Sequence, residues 1–225
     1  QLHSRVLAYS PGLWEQAAYQ QRQFFDWGGW LAVRPMDELP CWRLVMRREA
    51  DGSPEHDARI QDMGREHAAA VAAMRAISNR DFSMASRART NSYRGRKDSA
   101  LALYYMWRTG EVMTHHRENF ERVYALTETV APAHLLYEAS EAEVDRFLIK
   151  KEIGFAGLAR LNRTQDAYFR GAPLGRAQHI REALLAEGEI CEVQVEGWKA
   201  LHCVLGCDAE ALGELSAGRL PQAWK

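Results

Sequence analysis

The sequence predicts a mainly α fold with small β-hairpins, arranged as tandem winged-helix (helix-turn-helix) modules. Three observations lead there. Helical periodicity before Gly110 gives way to an alternating two-stranded pattern over residues 111–126, and helix followed directly by ribbon is the back half of a winged helix. The same order returns after a shift of 78 residues, which carries Gly110 onto Gly188. Between Arg87 and Lys97 lie five cations and no acid, although the whole chain carries a net charge of −1.

At 225 residues and 47% hydrophobic, the chain can bury the core of one large domain or two small ones. The balanced charge excludes a generic polyanion binder, so any nucleic-acid surface must be local. Cys41, Cys191, Cys203 and Cys207 do not make a disulfide framework, which points to a reducing, cytoplasmic compartment. No apolar run approaches the ~20 residues of a membrane span, and no signal peptide is visible. The chain opens on Gln1, not Met, with residues that read as an interior; a longer natural protein is the expectation.

In chain order, residues 1–50 read as the remainder of a first winged-helix module. Pro11 opens a turn, and residues 13–25 read as a helix with Leu13, Ala17 and Phe24 on one side. Trp27-Gly28-Gly29-Trp30 turns into a strand ending at Pro35, and a helix follows Pro40 over 42–48. The glycine pair is a tight turn and not a phosphate loop, because no Lys-Ser/Thr follows it. Residues 51–56 are a linker by composition.

Residues 57–132 form the module expected to bind DNA. A long helix over 57–77 is ended by Ser78-Asn79, and a short helix over 82–88 precedes the basic turn. Asp98 or Ser99 then caps a helix that buries Ala100, Leu103 and Trp107, and Gly110 stops it. Residues 111–114 read as a strand, 115–119 as a polar tip and 120–126 as the returning strand.

Residues 140–225 form a second complete winged helix plus a C-terminal helix. After a connector with Pro132, the box Ser140-Glu141-Ala142-Glu143 opens a helix running toward Ala159. Asn162-Arg163-Thr164 caps a short helix through Tyr168 and Phe169. A helix over 176–187 stops at Gly188. Strands over 189–195 and 198–205 meet at Glu196-Gly197, and 208–215 is helical. In the repeat Met106 falls on Leu184, Trp107 on Leu185, Val112 on Ile190 and Phe120 on Trp198. The aromatics Phe120 and Trp198 therefore read as plugs of one shared core position.

For function, Arg87, Arg89, Arg94, Arg96 and Lys97, with the free helix amides at Ser99, would face the phosphates of duplex DNA. A solvated loop is the plain alternative. His115, His116 and Arg117 at the ribbon tip can enter a minor groove or contact phosphate, or simply sit in water. Arg122 can reach a phosphate or pair with Glu111 across the ribbon. Glu187, Glu189, Glu192 and Glu196 make the second module acidic, suited to packing more than to phosphate. Cys191, His202, Cys203 and Cys207 lack a C-x-x-C knuckle and read as structural thiols, so neither metal nor cofactor is expected. No catalytic pair is visible; Asp81 and Glu111 read as helix-end and strand-start residues.

The run from Gly110 through His115-His116-Arg117, Phe120 and Tyr124 to Pro132 resembles the wing of bacterial winged-helix DNA glycosylases that unhook interstrand crosslinks, the AlkZ/YcaQ-like family. Ser4-Arg5 with Tyr9, Phe25-Asp26-Trp27-Gly28, Pro35, Arg43 and Met46 are similar to that family's first domain, and Val195-Glu196-Gly197-Trp198 to its third. The resemblance implies DNA repair by excision of alkylated or crosslinked bases in the nucleoid. It also implies a catalytic Gln-apolar-Asp/Gln motif upstream of Ser4-Arg5, before Gln1, and a β-rich domain after Lys225. Of the family's basic motif before the helix, Lys97 matches. A DNA-binding protein without chemistry, such as a transcriptional regulator, is the alternative function.

Overall fold

The computed structural model describes residues 10–28, 32–51, 76–81, 98–160 and 174–219. The chain divides into two compact units, Gln1–Ala139 and Ser140–Lys225. In both, short antiparallel ribbons of two strands pack on helices.

The first unit opens with helix α1 (Pro11–Glu15), which continues into a π-helical turn, Gln16–Gln20. The expected helix over 13–25 is therefore cut short. Arg22 adopts the left-handed conformation (φ 54°) that usually ends helices at glycine, and the chain leaves as strand β1 (Phe24–Asp26). β1 pairs with β2 (Val33–Pro35), Phe25 standing opposite Arg34. Helix α2 (Leu39–Asp51) buries Leu39, Trp42, Val45 and Met46, at helical spacing, against Trp27. The rings of Trp27 and Trp42 lie 5.5 Å apart.

Helix α3 (Asp98–Arg108) buries Ala102, Leu103, Met106 and Trp107. Gly110 (φ 77°) ends the turn after it, and a Cβ there would meet Met46 Sδ at 2.5 Å, so this corner is reserved for glycine twice over. The Trp27 indole donates to the Arg108 carbonyl at 3.1 Å, satisfying one of the acceptors a helix end leaves open. Strands β3 (Val112–Glu118) and β4 (Glu121–Leu126) follow, with a bulge between Thr114 and His116. Ile77 joins β4 as a bridge to Tyr124, its amide donating at 2.7 Å and its carbonyl accepting at 2.6 Å. It is extended, and not the last helical residue of a 57–77 helix. The rest of that helix, the short helix over 82–88 and the basic turn lie outside the described residues. A short helix, α4 (Thr127–Val130), closes the ribbon, with the Thr127 hydroxyl donating to the Gly110 carbonyl at 2.6 Å.

In the second unit, helix α5 (Glu141–Ala156) begins with the reciprocal capping box: Ser140 Oγ accepts from the Glu143 amide, and Glu143 accepts from the Ser140 amide at 2.8 Å. Val144, Leu148, Ile149 and Ile153 form its buried stripe. Helix α6 (Leu174–Ala186) supplies Leu184 to the core and ends before Gly188 (φ 72°). Strands β5 (Ile190–Val193) and β6 (His202–Leu205) pair next, and Ala159 bridges Cys203 as Ile77 bridges Tyr124. Gly206 lies so close to the Gly188 carbonyl that a Cβ would sit 2.1 Å from its oxygen. Helix α7 (Ala209–Ser216) ends the described chain.

The repeat holds from Gly110 and Gly188 into the first strand, where Val112 and Ile190 are both buried. It slips by one residue on the return: Val112 pairs Leu126, but Ile190 pairs Leu205. The shared core plug is wrong for both aromatics. Phe120 is 93% exposed at the turn before β4, and Trp198 is 51% exposed in the connection between β5 and β6. Alternation alone cannot separate the first residue of a strand from the last residue of a turn.

Candidate nucleic-acid interface

The β3–β4 ribbon is fastened to the N-terminal hairpin by one buried carboxylate. Asp26 ends β1 with only 3% of its side chain exposed. Its Oδ2 accepts from Arg117 Nη2 at 2.6 Å and from Arg122 Nε at 2.9 Å. Bonds between ionised partners are the strong ones, and two guanidiniums on one oxygen bring opposite strands of the ribbon to the same point. Asp26 Oδ1 makes no hydrogen bond among the described residues, so Oδ2 alone carries both.

The surroundings are aromatic. Arg122 stacks on Trp107 of α3, 4.3 Å from the ring centroid, while the Trp107 indole donates to the Asp26 carbonyl at 2.9 Å. Arg117 Nε donates to the Tyr19 hydroxyl at 2.9 Å. Burial pushes the Tyr19 and Tyr124 phenols above their ordinary value, with Asp26 adding to the effect and the arginines opposing it. Both phenols therefore stay neutral at neutral pH. For Arg122, burial opposes the charged form, but Asp26 and Tyr124 outweigh it and hold the guanidinium protonated.

Along the ribbon edge, Arg22 Nη1 donates to the His115 carbonyl at 2.9 Å. Among the described residues no carboxylate pairs with Arg22, while Arg117 and Arg122 share the single charge of Asp26. The rings of His115 and His116 meet through Nδ1 at 2.8 Å, a contact that needs one donor and one acceptor. His116 Nε2 reaches Glu118 at 3.1 Å. Burial first, then Arg22, then His116 hold the His115 imidazole below its ordinary value.

At the tip, Asn119 (φ 48°) and Phe120 (φ 68°) make a two-residue turn with both residues left-handed. Glu118 and Glu121 stand opposite one another beneath it; Glu121 pairs with Arg80 at 2.8 Å. Arg117 Nη1 donates to the Phe120 carbonyl at 3.3 Å.

Of the residues expected to touch DNA, Arg87, Arg89, Arg94, Arg96 and Lys97 lie outside the described residues. Ser99 is in the first turn of α3. His115, His116 and Arg117 lie within strand β3 and not at the tip where the sequence reading put them, because the strand runs on to Glu118; Arg122 pairs with Asp26 and not Glu111, and Arg117 joins it there. About a fifth of each arginine side chain stays exposed. Tyr19 and Arg22 carry no signal in the sequence, and neither the pairing of Asp26 with the ribbon nor the exposure of Phe120 is legible there. The first three lie over ninety positions from their ribbon partners, and the left-handed turn is foreshadowed only by Asn119.

Among the described residues, no group of three His, Cys, Asp or Glu could hold a metal ion, and no helix is long and apolar enough to cross a membrane. The family model for AlkZ-like DNA glycosylases matches residues 1–223. The chain belongs to that family. No curated protein and no solved structure matches it. AlkZ-like membership extends over both units, since the match covers the first completely and nearly all of the second.

Proposed function

We propose that this chain binds duplex DNA in the course of base-excision repair, as a cytoplasmic, nucleoid-associated glycosylase that hydrolyses the N-glycosidic bond of alkylated or crosslinked bases. The AlkZ-like match over residues 1–223 carries this reading. Each unit joins a helix to a two-stranded ribbon that a third extended residue bridges, an arrangement that suits tandem winged helices. In the first unit α3 enters a groove, and the basic run before it (Arg87, Arg89, Arg94, Arg96, Lys97) neutralises phosphates together with the α3 amides at Ser99. Arg22 adds a cation beside the ribbon, and the rings of His115 and His116 add hydrogen-bonding edges next to it. Arg117 and Arg122 orient that ribbon through Asp26 and present their exposed fraction to the backbone.

Affinity for an undamaged duplex, measured against salt, tests the surface. Replacing Arg94, Arg96 and Lys97 by Ala lowers affinity and flattens the salt slope by up to about three phosphates' worth. An unchanged slope removes the turn from the interface. Release of an alkylated base from duplex DNA, assayed on protein that includes the sequence upstream of Ser4-Arg5 where the resemblance implies the catalytic motif, separates the glycosylase from a regulator that only binds.

A further inference from the structure

We propose that Phe120 is a wedge that enters the base stack of bound DNA. The proposal rests on the duplex-binding reading above. Nothing in the fold calls for this residue. A two-residue turn with both positions left-handed favours Asn followed by Gly, and here Asn119 is followed by Phe120 where glycine is expected. A bulky side chain at φ 68° is strained, and 93% exposure to water adds a second cost. Strain of this kind persists where a function uses it.

The tip is also braced. Arg117 donates to the Phe120 carbonyl while its other nitrogens are fixed on buried Asp26 and on Tyr19. The ring therefore stands on a narrow turn tied to the core, and the backbone of that turn need not be ordered on binding. A flat apolar ring on such a tip matches the gap between two base pairs, where apolar side chains unstack a step and aromatic rings stack on bases. Of the nearby carboxylates, Glu121 is paired with Arg80, which reduces its repulsion of phosphate, and Glu118 bonds the His116 ring. Wedging at a weakened step would help expose a damaged base.

The test uses residues 1–225 and a duplex carrying 2-aminopurine at a mismatch. Wild-type chain raises 2-aminopurine emission on binding. Phe120→Ala and Phe120→Gly bind about tenfold more weakly and lose most of the rise, while Phe120→Gly, relieved of strain, melts at a higher temperature than wild type. Phe120→Trp keeps the rise and has its own emission quenched by DNA. Wild-type emission and affinity in both the Ala and Gly variants overturn the wedge and leave duplex binding standing. If wild type does not bind the duplex, both readings fail. A change of self-association by light scattering in Phe120→Ala, with emission unchanged, assigns the ring to protein contact and also overturns the wedge.

Discussion

Asp26 holds two arginines from a site that water barely reaches, so its charge matters more than its shape. Asp26→Asn keeps the side chain's size but leaves Arg117 and Arg122 adjacent and uncompensated. The expected cost is about 3 kcal/mol of stability, because removing one partner of a buried ion pair strands the other. Urea denaturation measures it; a midpoint equal to wild type would mean the ribbon is fastened by packing alone. His115 makes stability depend on pH. Its folded pKa lies below the ordinary His value, so the unfolded chain takes up the proton first as pH falls. Stability is therefore full above about pH 6.5 and lost as pH drops through the folded value. In His115→Gln the difference in denaturation midpoint between about pH 7.5 and about pH 5.5 shrinks.

Among the elements, the two ribbons solve one packing problem with different turns. The first has long strands, a bulge and a two-residue tip; the second has four-residue strands and a long connection. What they share is the glycine corner that returns the chain from helix to strand. In the second unit this corner is closed by the contact between Gly206 and the Gly188 carbonyl, where the obstacle is backbone and cannot swing aside. Gly206→Ala should destabilise the second unit by about 3 kcal/mol, the upper end of the usual cost of overpacking. Thermal denaturation checks this, and a variant as stable as wild type would show that the corner has slack.

Taken as a whole molecule, a net charge of −1 gives no long-range attraction to DNA, so binding depends on where cations are left unpaired. Among the described residues of the second unit, several cations pair with carboxylates of the same unit. Arg146 pairs with Glu187 and Glu189, Lys150 with Glu189 at 2.5 Å, and Arg181 with Glu192. Replacing Arg146 and Lys150 together by Ala is accordingly expected to leave the salt slope of duplex binding unchanged. A flatter slope would place the second unit on the DNA.

By itself the sequence determined what local chemistry controls: the capping box at Ser140, the helix stops at Gly110 and Gly188, and the order helix then ribbon in both units. Periodicity and turn residues act over a few positions, so they can be read one stretch at a time. Which ribbon residues face protein depends on contacts between segments far apart in the chain. Asp26 finds Arg117 and Arg122 across more than ninety residues of chain, and no spacing rule encodes that meeting. Phe120 departs from its expected core position for the complementary reason. An aromatic beside an alternating strand has the composition of a core residue, and only the left-handed backbone of its turn puts it in water.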